Sequence, residues 1–159
     1  MEKMIDPKKL RKVAGAFATG VTVVTTARED GSIHGMTANS FLSVSLAPPL
    51  VAFSVRNEGS LMEHLALDKP LGISILSDQQ EGISNQFAGQ NDSAIEVQFE
   101  QHSSGISTIK DCLAWYCTRI HQILPAGDHH LILCEVLDLN RSEEGQPLLY
   151  YSGYQTLVS

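Results

Sequence analysis

Two short stretches in the first half of the chain gather the residues best suited to ligand chemistry. Gly35-Met36-Thr37-Ala38-Asn39-Ser40-Phe41, then Ser43-Val44-Ser45 and Pro48-Pro49, crowds small residues, hydroxyls and a carboxamide at the end of a candidate strand. Such a segment leaves backbone N–H groups free and sets neutral donors and acceptors at short range. That suits the edge of a flat heterocycle carrying imide and ring-nitrogen groups; a polar surface turn would use the same residues. Ser54-Val55-Arg56-Asn57-Glu58-Gly59-Ser60 ends a strand and opens a helix. N–H groups at that helix start, with Ser60 and Arg56, make a phosphate seat. One stretch fits a ring, the other a phosphate.

Other reactive side chains are sparser. His129-His130 follows Gly127-Asp128 at the mouth of a strand, and adjacent strand residues face opposite ways, so one of the two at most lines a given pocket. Cys112 and Cys117 stand five apart in an extended segment, on opposite faces, and read as small buried hydrophobes. No H-x-H, H-E-x-x-H or C-x-x-C pattern indicates a metal site. The nucleophile elbow G-x-S-x-G is absent, and so is the dinucleotide fingerprint G-x-G-x-x-G, so a nucleotide would not be held in the Rossmann manner.

The elements that must position these residues are mostly strands. Asp6-Pro7 starts a helix whose Leu10, Val13, Ala14 and Phe17 share one face, ending at Gly20. Val21 to Thr26 is a β-branched strand, and Asp30-Gly31 turns it into an antiparallel return from Ile33 to Ala38. Further strands are expected at 50–55, 71–76, 113–123, 130–139 and 148–151. A short helix is expected at 60–65, and a second, capped by Ser77-Asp78, runs to Ala88. Pro125 to Asp128 forms the turn between the two long strands. Hairpins rather than crossover helices join neighbours, so the expected fold is mainly β: an antiparallel sheet or closed barrel with a few peripheral helices.

At 159 residues this reads as one domain, 1–159, and 43% hydrophobic residues suffice for a core. A formal charge of −7 with pI ≈ 5.2 disfavours nucleic acid and anionic membranes as partners. Lys8, Lys9, Arg11 and Lys12 are too few to reverse that. The first residues lack the apolar core of a signal peptide, and three cysteines suggest reduced thiols, so a cytoplasmic location is expected.

Taken together, three runs give the chain a resemblance to the flavin reductase-like family. They are Ala18-Thr19-Gly20-Val21-Thr22-Val23-Val24-Thr25-Thr26, Gly35 to Phe41, and Ser43-Val44-Ser45-Leu46-Ala47-Pro48-Pro49-Leu50. Phe87-Ala88-Gly89, Gly127-Asp128-His129 and Pro147-Leu148-Leu149-Tyr150-Tyr151 extend it over nearly the whole chain. The resemblance implies an antiparallel Greek-key split β-barrel that binds FMN or FAD. It implies that Gly35, Met36, Thr37, Asn39 and Ser40 surround the isoalloxazine and ribityl chain. Ser54, Val55, Arg56 and Ser60 would hold the flavin phosphate, with Phe87 and Ala88 nearby. His129, the candidate catalytic residue, would stand next to the nicotinamide of NADH or NADPH, and Tyr151, Ser152 and Gly153 would help accommodate that nucleotide. Two departures from the family pattern, at 91–95 and at Ile106, fall in the segment expected to cover the nicotinamide.

The activity so implied is that of an NAD(P)H:flavin oxidoreductase, working as a homodimer and passing reduced flavin to a separate monooxygenase. Hydride would move from nicotinamide C4 to flavin N5, with the reactivity supplied by the cofactors. The alternative is a non-enzymatic flavin-binding protein, an electron carrier or redox sensor on the same barrel.

Overall fold

The computed structural model describes residues 3–90 and 94–157. In chain order its elements are α1 (Pro7–Ala14), β1 (Thr19–Gly20), β2 (Thr22–Ala27), β3 (Ile33–Ala38), β4 (Leu42–Leu46) and β5 (Pro49–Arg56). After a single 3-10 turn at Met62–His64 come β6 (Pro70–Ile75), α2 (Glu81–Phe87), β7 (Phe99–Gln101) and β8 (Ser107–Ile109). The long hairpin β9 (Ala114–Ala126) and β10 (His129–Arg141) follows, then β11 (Leu149–Tyr150) and β12 (Tyr154–Gln155).

Seven strands form one antiparallel sheet in the order β3-β2-β6-β9-β10-β5-β4. The two edge strands are consecutive in the chain, with only residues 39–41 between them. Six gaps of about 4.8 Å would hold the edges of a flat sheet about 29 Å apart. Four Cα steps, from Ala38 to Leu42, reach about 14 Å at most. The sheet must therefore curl until β3 and β4 come close, leaving a seam that three residues bridge.

The curl buries Val24, Val51, Phe53, Val55, Leu71, Ile73, Ile120 and Ile132 on its inner face. Leu61, beside the 3-10 turn, plugs one end of it. β2 is buried on both faces, because Val21 and Val23 pack outward against Leu76, Ile109 and Leu148, with α2 residues alongside. This double burial explains its uninterrupted β-branched sequence. Its threonines find carbonyl partners: Thr22 Oγ1 donates to Ala38 at 2.7 Å and Thr25 Oγ1 to Ser107 at 2.8 Å. Gly72 lets β8 cross over β6, since a Cβ there would lie 2.3 Å from the Ser107 carbonyl oxygen.

Local expectations failed where tertiary pairing or turn geometry intervened. Asp6 does cap α1, accepting from the Lys8 N–H at 2.9 Å. The helix nevertheless stops at Gly15 rather than Gly20, because Thr19 and Gly20 are drawn into a ladder with β11. Leu10, Val13 and Phe17 cover none of the core; Phe17 is 79% exposed. The expected helix at 60–65 is only the 3-10 turn, as its Leu61 and Leu65 are pulled toward the core. Ser77-Asp78 does not cap α2. The Ser77 N–H donates to Gln80 Oε1 at 3.0 Å, forming a turn that delays the helix to Glu81. Strand β9 runs through Pro125 and Ala126, leaving Gly127-Asp128 as a two-residue turn in which Gly127 takes φ +65°. Cys112 lies in the turn before β9 rather than in the strand. All three cysteines are free and buried. Burial pushes the Cys112 thiol up to about 11 and the Cys134 thiol up to about 12.

Candidate functional site

β3 carries the expected ring-binding segment, and its register assigns each side chain to a face. Met36 pairs with Val24 and packs against the inner core, so its side chain belongs to the barrel interior. Gly35 and Thr37 pair with Thr25 and Val23 and face outward, under α2. A Cβ at Gly35 would lie 2.7 Å from the Phe87 ring, so the missing side chain is what admits that ring. Thr37 Oγ1 donates to the Ser84 carbonyl at 2.6 Å, and Ser84 Oγ shares a hydrogen bond with the Tyr154 hydroxyl at 2.7 Å. The T-shaped Tyr150–Tyr154 pair, 5.6 Å between ring centres, continues the line into β11 and β12. Gly35, Thr37, Phe87 and the C-terminal stretch are thus joined through α2. Ser84 and Tyr154 were missed by the sequence reading. Ser84 stands three residues before Phe87, on the same helical face, and that spacing was the available signal.

Past Ala38 the chain enters the seam. Asn39 is exposed, while the Ser40 hydroxyl accepts from the Ser54 N–H at 3.0 Å and donates to the Ser54 carbonyl at 3.3 Å. Ser40 thereby continues the β4–β5 ladder by one step, and its hydroxyl is committed to the fold. Two cavities adjoin here. One, of about 490 Å³, is walled by Phe17 to Thr22, Asn39 to Phe41 and Ile75. The other, of about 560 Å³, lies beneath α1 and includes Lys8, Arg11, Lys12, Tyr150 and Ser152. Phe17, Thr19 and Asn39 line both. Thr19 Oγ1 is buried there with no hydrogen-bond partner among the described residues, a polar atom left for a ligand to satisfy. Each volume falls within the range of small-molecule sites. Ser152, at φ +52°, occupies the left-handed region, unusual for a residue with a side chain, in the middle of the β11–β12 turn.

The phosphate stretch is arranged differently from expectation. Val55 is sealed in the core, so only its backbone can meet a ligand. Ser54 and Arg56 share the other face of β5, and Arg56 is exposed. The three-residue 3-10 turn that follows is too short to offer the helix N-terminus anticipated there. Arg56 pairs with His129 on β10, whereas His130 pairs with the buried Val55. His129 and Arg56 therefore stand together on the outside. His129 Nδ1 donates to Asp128 Oδ1 at 2.7 Å, which holds that carboxyl below the usual carboxylate range. A neutral imidazole donating through Nδ1 keeps its lone pair on Nε2. Ser60 is bonded to His34 Nε2 at 3.1 Å. Ala88 is the exposed C-cap of α2.

Residues 14–157 match the model of the flavin reductase like domain. The chain belongs to that family. It is 38% identical over 155 residues to the NADH-dependent flavin reductase of a Rhodococcus species, covering 96% of this chain and 87% of that protein. It is 36% identical over 149 residues to the reductase component of 4-hydroxyphenylacetate 3-monooxygenase from Thermus thermophilus, covering 93% and 95%. Among solved structures, the flavin reductase PheA2 in its native state superposes with a TM-score of 0.91 at 42% identity, over 98% of this chain and 100% of that one. The Streptomyces globisporus NADH:FAD oxidoreductase SgcE6, in complex with NAD and FAD fragments, gives 0.87 at 34% identity, over 99% and 98%. This family member is mainly β, as its sequence implied.

Proposed function

We propose that this flavin reductase family member, residues 1–159 acting as one domain, is an NAD(P)H:flavin oxidoreductase that supplies reduced flavin to a separate monooxygenase component. The observation that carries the reading is the pair of cavities meeting at Asn39 and the unpartnered Thr19 hydroxyl. They lie at the seam of a chain built throughout like proteins named flavin reductases. Relatives named for FAD and for FMN both occur, and the named hydride donor is NADH.

Bound flavin and nicotinamide supply the redox chemistry itself. This chain's residues bind and orient. Asn39 supplies a carboxamide, with one acceptor and two donors, where the two cavities join. Gly35 and Phe87 set an aromatic wall beside β3, and Thr37 anchors that wall through α2. The unpaired edge of β3 leaves backbone N–H groups that stabilise negative charge developing on a ring edge. Arg56, Ser54 and Ser60 hold a phosphate at the end of β5. His129, fixed by Asp128, offers Nε2 to the nicotinamide side as a positioning group rather than a proton shuttle, and Tyr151 to Gly153, in the turn between β11 and β12, help accommodate the nucleotide. Nothing in hydride transfer requires a side-chain acid or base.

Apolar side chains left open support a homodimer. Leu10 and Val13 on α1, Phe17 just after it, and Leu42, Val44 and Leu46 on β4 are exposed, Leu46 by 92%. Among the described residues no helix is long and apolar enough to cross a membrane. Buried, protonated thiols suit the reducing cytoplasm. The discriminating experiment is steady-state NADH oxidation with added FMN or FAD. Sustained turnover beyond one equivalent of flavin is expected; a single reduction without turnover would make the protein a carrier or sensor instead.

A further inference from the structure

A polar chain runs behind the phosphate stretch from Arg28 through His34 to Ser60. Arg28 Nη2 lies 2.7 Å from His34 Nδ1, and His34 Nε2 lies 3.1 Å from Ser60 Oγ. A guanidinium can only donate, so Nδ1 must be the acceptor and must carry no proton. A neutral imidazole with a bare Nδ1 bears its proton on Nε2, which then donates to Ser60 Oγ. The hydroxyl, with one lone pair taken, keeps its own hydrogen free to point elsewhere. Each role follows from the one before it, starting from a group that has no alternative.

The surroundings hold His34 neutral. Burial disfavours its charged form first, then the Arg28 charge and the neighbouring His64, while Glu63 acts the other way. His64 lies against it at 5.1 Å between ring centres. His34 shares its strand face with Met36, so the chain sits where the segment after β5 closes the end of the barrel.

We propose that Arg28 and His34 are positioning residues for phosphate recognition: they lock the Ser60 hydroxyl as a donor to the phosphate monoester of the flavin, without touching it themselves. This rests on the assignment of Ser60 to the phosphate seat. It also gives β3 a role at both ends, with ring contacts at Asn39 and phosphate control at His34.

The test is titration of flavin-free protein with FMN and with riboflavin, which lacks the phosphate, followed by quenching of flavin fluorescence. Arg28→Met and His34→Leu should each weaken FMN binding by about 3- to 10-fold, the scale of one lost hydrogen bond, and leave riboflavin binding unchanged. His34→Gln, whose amide can accept from Arg28 and donate to Ser60, should keep most of the FMN affinity. Ser60→Ala should match the loss in His34→Leu, and the double variant should lose no more than either alone. Equal weakening of FMN and riboflavin would reduce the chain to a structural support and overturn the proposal. So would a Ser60→Ala loss with no effect of Arg28→Met or His34→Leu. FMN affinity untouched by Ser60→Ala would instead remove Ser60 from the seat, and the underlying assignment would fall first.

Discussion

Asn39 and His129 are the side chains on which the proposed chemistry leans most, and they can be probed separately. Asn39→Leu keeps approximate size but removes every polar atom, leaving the ligand group it met unpaired. That costs about 1–3 kcal/mol, or roughly 5- to 150-fold in flavin affinity; an unchanged titration would take Asn39 out of the site. His129 and His130 occupy opposite faces, one beside Arg56 and the other beside buried Val55. His129→Ala should raise the KM for NADH or lower turnover by about 2- to 12-fold, the worth of one neutral hydrogen bond, with flavin affinity nearly intact. His130→Ala should leave NADH kinetics alone, and its effect, if any, should appear as lost stability. Reversal of the two would place the nicotinamide on the inner face.

Elements decide what these residues can reach, and here the sequence was unevenly legible. β3 stands at the expected residues Ile33 to Ala38, because Asp30-Gly31 fixes the turn and alternation fixes the faces. The long β9–β10 hairpin was nearly as clear. What local patterning could not show was pairing between distant segments: β1 with β11, or β8 folding over β6. Nor could it show which hydroxyls the fold would consume. Ser40 looked like a ligand donor yet is used to extend a ladder, and Ser60 is shared with His34. Of the cavity wall, Thr19 lay in a run noted only for resemblance, and Phe17 was read as part of the apolar face of the first helix. The clearest consequence of the hidden pairing concerns Gly72. Gly72→Ala would drive a methyl into the Ser107 carbonyl, and backbone there cannot yield as a flexible side chain does. A loss of about 1–3 kcal/mol is expected in chemical denaturation, with the β7–β8 hairpin the first part to loosen. A stability equal to that of the parent chain would mean that β8 rides free of the sheet.

At the scale of the whole molecule, the surface carries apolar groups that the single chain does not cover. α1 shows its hydrophobic stripe to water, and β4 is an edge strand with Leu42, Val44 and Leu46 outward. A small acidic chain gains by burying both against a second copy, and a two-fold arrangement lets one patch serve twice. Light scattering at micromolar concentration should therefore give about twice the mass of one chain. Phe17→Glu together with Leu46→Glu should shift it toward the monomer, whereas a monomeric parent would leave both patches to another partner.

The seam between β3 and β4 bears on how tightly the barrel holds its shape. Its two rims are tied by three residues rather than by a ladder, and the same three carry Asn39 and Ser40. Whatever lies along the seam takes the place of a missing strand, satisfying rim amides that otherwise exchange with solvent. Amide deuterium uptake should accordingly slow in 33–46 when flavin is added, while β6 and β9, laddered on both sides, should barely respond. The cofactor would then be a stave of the barrel as well as its cargo, and equal slowing everywhere would say that it tightens the whole fold without closing this gap.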